Sequence, residues 1–192
     1  MSDRQDEIVG TALRLISEDG IQELTMKKIA AAIGITEPAL YRHFTSKFQI
    51  LSAVVDTITA ARSTLSRPST SGVRNAESDI LVFFIGHARL FTREPAMTVI
   101  LFSEDLFRND KELSERVAAI IDDTRHRIQE ALAVGVKTGM MRADLDLPMA
   151  SLLLVGGFRQ LVSSWRLAGY QFSLEEHTAR LVGSTLRLFA RA

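Results

Sequence analysis

Residues 25–51 read TMKKIAAAIGITEPALYRHFTSKFQIL. An apolar-periodic run ends at Gly34, a short corner follows, and a second helix starts near Thr36, which is the spacing of a helix-turn-helix. Gly34 suits a left-handed corner, where a residue with a Cβ loses roughly 1–2 kcal/mol. Ile29, Ile33 and Leu40 form the inward edge, Ala30 lets two helices come close, and Thr25 and Thr36 are the expected N-caps. Lys28 stands where a capping-box acid would be, so the first cap rests on Thr25 alone. Glu37, Pro38, Ala39, Tyr41 and His43 are left facing outward, a small or polar set suited to a helix in a major groove.

Upstream, residues 4–18 place Ile8, Ala12, Leu15 and Ile16 on one helical face, with Asp6 and Glu7 near the helix start and Gly20 ending it. Downstream, Ser46 with Gln49 opens a helix carrying Ile50, Leu51, Val54, Val55 and Ile58, long enough to run from a head into a body. Residues 63–74 are rich in Ser, Thr, Pro and Gly and predict a loop. Helical spacing then continues over residues 78–91, breaks at Pro95 and resumes over residues 96–107. Asn109 with Glu112 is the expected cap of a long helix reaching about Lys137. Asp146 and Pro148 restart a helix through Phe158, Leu161, Val162 and Trp165, closed by Gly169, and Ser173 with Glu176 caps a last one carrying Leu181, Leu186 and Phe189. The expected fold is all-α with about nine helices: a helix-turn-helix head over residues 1–48 and a larger helical body over residues 49–192.

The chain has 192 residues, 46% of them hydrophobic, enough to bury a substantial core. It contains no cysteine, which excludes disulfides, thiolate catalysis and cysteine-ligated zinc. Formal net charge is zero, so bulk charge does not make it coat nucleic acid; Lys27, Lys28, Arg42 and Lys47 against Glu37 concentrate the positive charge on one module. No leader or uninterrupted apolar span is evident, and a cytoplasmic location away from membranes is expected.

The pattern Ile8, Ala12, Leu15, Gly20, Leu24-Thr25, Ile29-Ala30, Gly34-Ile35, Leu40-Tyr41, His43-Phe44, Lys47 and Leu51 closely resembles the N-terminal domain of the TetR/AcrR family of bacterial transcriptional regulators. The resemblance is strong over residues 4–55 and beyond them is one of architecture and length. It implies an all-helical homodimer, most often a repressor, that binds an inverted-repeat operator in double-stranded DNA and releases it when a small molecule enters the body. It places Glu37, Pro38, Ala39, Tyr41 and His43 on the recognition helix, Lys27 at a base or backbone contact and Lys47 at a phosphate; Thr36 fits the usual start of that helix.

By their chemistry, Lys27, Lys28 and Lys47 are phosphate-type groups that position without reading sequence. Base choice would fall to Glu37, able to accept from a cytosine amine, and to Pro38 or Ala39 against a thymine methyl. The last two helices carry surplus apolar surface, which two chains would bury as a four-helix bundle; Phe158, Leu161, Val162, Trp165, Leu181, Leu186 and Phe189 are interface candidates. Phe158 and Trp165 are equally candidates for an effector cavity, together with Phe84, His87, Phe91, Met97, Phe102 and Met140; Phe83, Phe107 and Met141 extend that lining, and Arg89, Glu104, Asp105 and His126 are its other polar groups. The expected effector is mostly apolar or aromatic with a polar end, its identity open.

No motif calls for a cofactor. Asp122, His126 and Glu130 share a helix face but lack the second histidine of an HExxH pair and read as a solvated ion-paired face. No GxSxG elbow or phosphate-binding glycine loop suggests an enzyme. The alternative to an effector-controlled regulator is an architectural or partner-binding DNA-binding protein without an inducer.

Overall fold

The computed structural model describes residues 2–66, 76–102 and 110–191. Among them are nine α-helices: α1 (Asp3–Asp19), α2 (Met26–Ala32), α3 (Glu37–Tyr41), α4 (Lys47–Ser63), α5 (Ala76–Arg93), α6 (Ala96–Leu101), α7 (Lys111–Lys137), α8 (Leu147–Leu167) and α9 (Leu174–Phe189). A short 3-10 turn, Thr64–Ser66, follows α4. No strand occurs among the described residues beyond an isolated antiparallel bridge between Met141 and Ala190. The fold is the all-α one expected.

The chain forms two compact units, one of Met1–Ala61 with Glu94–Ala118 and one of Arg62–Arg93 with Ala119–Ala192. In the first, α1 packs on α2 and on α6, and α2 packs on α3. Its core is Ile8, Ala12, Ile16, Leu24, Ile29, Ala30, Leu40, Ile50, Val54 and Ile58, all 2% exposed or less. Ile8, Ala12 and Ile16 are buried as expected, but Val9 and Leu13, rather than Leu15, complete the buried face of α1, so the apolar stripe is rotated by about 45° from the one expected. The capping box of α1 also comes from a pair not singled out: Ser2 Oγ accepts from Gln5 N, and Gln5 Oε1 accepts from Ser2 N.

In the second unit α9 packs on α5 and α8. Phe84 meets Phe158 edge-on at 5.2 Å between ring centroids and Phe91 stacks on Phe158 at 5.9 Å, so α5 and α8 share an aromatic core. Asp146 caps α8 by accepting from Met149 N, and Ser173 caps α9 by accepting from Glu176 N. The expected cap Asn109 lies outside the described residues, as do residues 67–74 of the expected loop and Phe107, Glu104 and Asp105. The side-chain cap of α7 that is described falls on Asp110, whose Oδ1 accepts from Leu113 N at 3.1 Å.

Phe158, Val162, Trp165, Leu186 and Phe189 are among the interface candidates, Phe158 and Trp165 being equally cavity candidates; each is buried within this chain, none more than 6% exposed, which does not fit a surface shared by two chains. The opposite face of α8 is the open one: Met149, Leu152, Leu153 and Leu167 are exposed. The helix is apolar on both sides, and packing of α5 and α9 takes the Phe158 side.

Thr178 on α9 is fully buried and its hydroxyl oxygen has no hydrogen-bond partner among the described residues. A buried hydroxyl left unsatisfied costs about 1–3 kcal/mol, and valine keeps the shape without it. Thr178→Val is therefore expected to raise stability by about 1 kcal/mol, read as a higher urea midpoint at unchanged m. A lower midpoint would mean that the hydroxyl does have an acceptor.

Candidate nucleic-acid interface

The corner of the helix-turn-helix is built by the backbone. Gly34 adopts φ +70°, Ile35 N donates to Ala30 O at 3.0 Å and Gly34 N to Ala31 O at 3.3 Å. This double closure needs one residue in the left-handed region after the helix, which glycine takes without a Cβ penalty. Thr25 Oγ1 then accepts from Lys28 N and Thr36 Oγ1 from Ala39 N, so both expected caps are made. Ser46 Oγ accepts from Gln49 N, while Gln49 Oε1 accepts from Thr45 N rather than from the Ser46 amide.

Leu40, fully buried, anchors α3 from below. Around it Thr36 and Pro38 are exposed, Glu37 and Ala39 half-buried, and Tyr41 is 44% exposed despite its large ring. Arg42 and His43 follow, both exposed. Gln5 Nε2 of α1 donates to the His43 carbonyl at 3.4 Å and ties the end of α3 to the first helix. Arg42 belongs to the positive charge of the module but not to the expected contact set; its place directly after Tyr41, in a cation-rich exposed stretch, is the signal for including it.

The three lysines differ. Lys27 is exposed. Lys28 Nζ lies 3.0 Å from Glu23 and 3.6 Å from Asp19, and the Glu23 hydrogen bond raises its pKa from the ordinary lysine value. That ion pair makes Lys28 a tether to the α1–α2 corner more than a free phosphate ligand. Lys47 Nζ donates to Ile21 O at 3.1 Å, and partial burial lowers its pKa. It thus pins the start of α4 to the same corner, with donors left over because an ammonium has three.

The residues expected to line an effector site fall in both compact units. Phe84, His87, Phe91 and Phe158 come together in the second unit, all buried. Trp165 is also buried there, edge-on to Tyr170 at 4.7 Å. Met97 and Phe102 belong to the first unit, on and just after α6, and Met140 is half-buried in the turn after α7. Arg89 turns to the surface, where it pairs with Glu175 at 2.5 Å. That ion pair raises the Arg89 pKa and lowers that of Glu175.

His87 is the polar centre of the aromatic cluster. Its Nδ1–H donates to Phe83 O at 2.8 Å and its Nε2 accepts from Arg62 Nε–H at 3.3 Å. An arginine can only donate, so the imidazole is neutral with its proton on Nδ1. Burial, with Arg62 and Arg127 adding like charge, pushes its pKa down to about 4. The same Arg62 donates through Nη2 to Ile120 O at 3.3 Å and to Thr124 Oγ1, so one buried guanidinium joins α4, α5 and α7. Sequence reading misses this centre because its members lie 25 and 58–62 residues apart.

His126 pairs with Glu130 on an exposed face at 3.4 Å, and beside it a shallow groove of about 450 Å³ is lined by Asp122, Asp123, Arg125, His126 and Gln129. Among the described residues no three His, Asp or Glu side chains are grouped to hold a metal ion, and no helix is long and apolar enough to cross a membrane.

An all-helical chain whose capped helix-turn-helix turns a short helix outward beside exposed cations is, as a class, a DNA-binding regulator. A model described as "Bacterial regulatory proteins, tetR family" matches residues 8–54, and one described as "YsiA-like protein, C-terminal region" matches residues 62–190. The chain belongs to the tetR family of bacterial regulatory proteins, which are transcriptional regulators and not enzymes. It is similar to the "Probable acrEF/envCD operon repressor" of Escherichia coli (strain K12), at 24% identity over 190 residues, 96% of this chain and 86% of that protein. In fold it is similar to the fatty acid degradation regulator FadR from Bacillus halodurans, with TM-score 0.82 at 18% identity over 97% of this chain and 96% of the other. It is also similar to FadR from Bacillus subtilis in complex with stearoyl-CoA, with TM-score 0.70 at 20% identity over 95% and 96% of the two chains.

Proposed function

We propose that this regulator is a cytoplasmic repressor that binds an inverted-repeat operator as a homodimer and leaves it when a small, mostly apolar or aromatic effector enters the body. The head would comprise residues 1–48 and the body residues 49–192. The observation that carries the reading is α3: five residues, anchored by Leu40, with Pro38, Tyr41, Arg42 and His43 open to solvent. So short a helix reads only a few base pairs, and two copies about 34–36 Å apart, or a multiple, read an inverted repeat.

Glu37, Pro38 and Ala39 would choose bases, with Thr36 capping them in place. Tyr41, His43, Lys27 and Lys47 would hold the backbone, joined by Arg42, while Lys28 adds charge from its tether. The similarity to a protein named as an operon repressor supports the direction of control. For the effector, the aromatic group of Phe84, His87, Phe91 and Phe158 favours an apolar molecule, and the hydrogen-bonded Arg62–His87 pair is the polar group beside it. The stearoyl-CoA bound by a fold relative fits the same chemistry. An effector that binds the two body states with a difference of about 1–3 kcal/mol weakens operator binding by about 5–150-fold.

The test is selection of bound duplexes from a random pool with the purified chain at fixed salt, repeated with Tyr41→Ala. Enrichment of one inverted repeat, weakened about tenfold or more by the substitution, is expected from the loss of an exposed aromatic backbone contact. No enrichment, or an inverted repeat indifferent to Tyr41, refutes the assignment of α3. Enrichment of many unrelated sites would instead favour an architectural protein.

A further inference from the structure

Helix α4 is gripped from α7 by one side chain. Arg116, in the second turn of α7, donates from Nη1 to Ser52 Oγ and, at 3.5 Å, to the Ser52 carbonyl; its Nη2 reaches the Asp56 carboxylate. Ser52 and Asp56 are four residues apart, so the three acceptors form a single ridge one turn long on α4. The Asp56 side chain is 69% exposed and that of Arg116 29%, and ion pairs at such positions add little to stability. Their value is directional. A planar guanidinium has its donors in fixed directions, and meeting three acceptors on one ridge fixes both the rotation and the slide of α4 against α7. The α4 residues involved and the first turns of α7 lie in the same compact unit.

The grip matters because α4 begins where the helix-turn-helix ends. Lys47 at its start is hydrogen-bonded to the Ile21 carbonyl, so the start of α4 and the α1–α2 corner move together. Seventeen residues make α4 about 25 Å long. A tilt of about 5° displaces its end by about 2 Å, and in a two-fold dimer both ends move, for about 4 Å in all. That is comparable with the rise of one base pair, ~3.4 Å.

We propose that Arg116, through Ser52 and Asp56, is a positioning residue that sets the direction of α4 and thereby the half-site spacing the dimer accepts. The proposal rests on the inverted-repeat reading above. It assigns no DNA contact to Arg116, so its signature is a change in spacing preference rather than in affinity for a half-site.

The experiment uses the full chain and a series of duplexes carrying the selected repeat with the spacer changed by one or two base pairs. The unsubstituted chain is expected to prefer one spacer by about tenfold, and Arg116→Ala to reduce that preference to about threefold or less. Asp56→Asn, an exposed substitution that keeps the side-chain shape, should do the same, and the double variant should be no worse than Arg116→Ala alone. Binding to a single half-site should be unchanged in all of them. Variants that retain the original spacer profile, or that weaken every spacer and the half-site equally, overturn the assignment to Arg116. An unsubstituted chain with no spacer preference overturns the inverted-repeat reading as well, which separates the two failures.

Discussion

A Leu153→Asp chain is expected to run as a monomer and to lose operator binding by about 10²–10⁴-fold, the range over which linking two binding modules raises avidity. Met149, Leu152, Leu153 and Leu167 are 51%, 46%, 62% and 88% exposed, all on α8, and Gly156 between them has open space where a Cβ would be. Positions 149, 153, 156, 160, 163 and 167 follow alternating steps of four and three, the seam of two packed helices. An exposed apolar stripe of this kind marks an association surface. On α9, the second of the two helices expected to pair, Leu188 is 75% exposed. Aspartate in such a seam would bury a charge without a partner, whereas in the monomer it meets only water. The variant should therefore keep its helical content while its mass in solution halves and its melting temperature stops depending on protein concentration. A dimer that survives the substitution refutes α8 as the interface.

The second large effect is one of pH. His87 has an ordinary pKa of 6.5 and is held at about 4 in the folded chain. Between these values the unfolded chain binds a proton that the folded chain refuses, so unfolding becomes easier as pH falls. The stabilisation is complete above about pH 6.5 and is lost progressively down to about pH 4. At ~1.4 kcal/mol per decade this amounts to about 3 kcal/mol. The charges facing the imidazole, Arg62 from α4 and Arg127 from α7, act in the same direction as burial. A pH series of urea unfolding should show this slope, and His87→Gln, which does not titrate, should flatten it, even if the variant is less stable at pH 7. An unchanged slope in the variant would mean that other groups set the acid response.

Local signals accounted for most of what could be read in advance. Thr25, Thr36, Asp146 and Ser173 cap the helices they precede, and Gly34 makes the corner, because each depends on groups within a few residues. Where two neighbours competed the choice was less secure: Asp110 supplies the described cap of α7 next to the expected Asn109, and Leu13 rather than Leu15 completes the face of α1. The outward helix and its chemistry were legible for the same local reason, since α3 is anchored by Leu40 between two capped turns. The lysines were not, because the partners of Lys28 and Lys47 come from the α1–α2 corner.

The amino-acid sequence by itself determined an all-helical chain, the places of its helices, though α6 ends at Leu101 where the helical spacing continues to 107, and the family, since these follow from period, caps and one short motif. Only the tertiary structure decided which side of α8 is interior, that Arg62 and His87 share a buried proton arrangement, and that Arg116 grips α4. Helical periodicity defines an apolar stripe but not what covers it. A helix apolar on both sides is resolved only when the distant α5 and α9 pack against one of them, and a buried hydrogen bond only when its donor and acceptor, dozens of residues apart, are brought together.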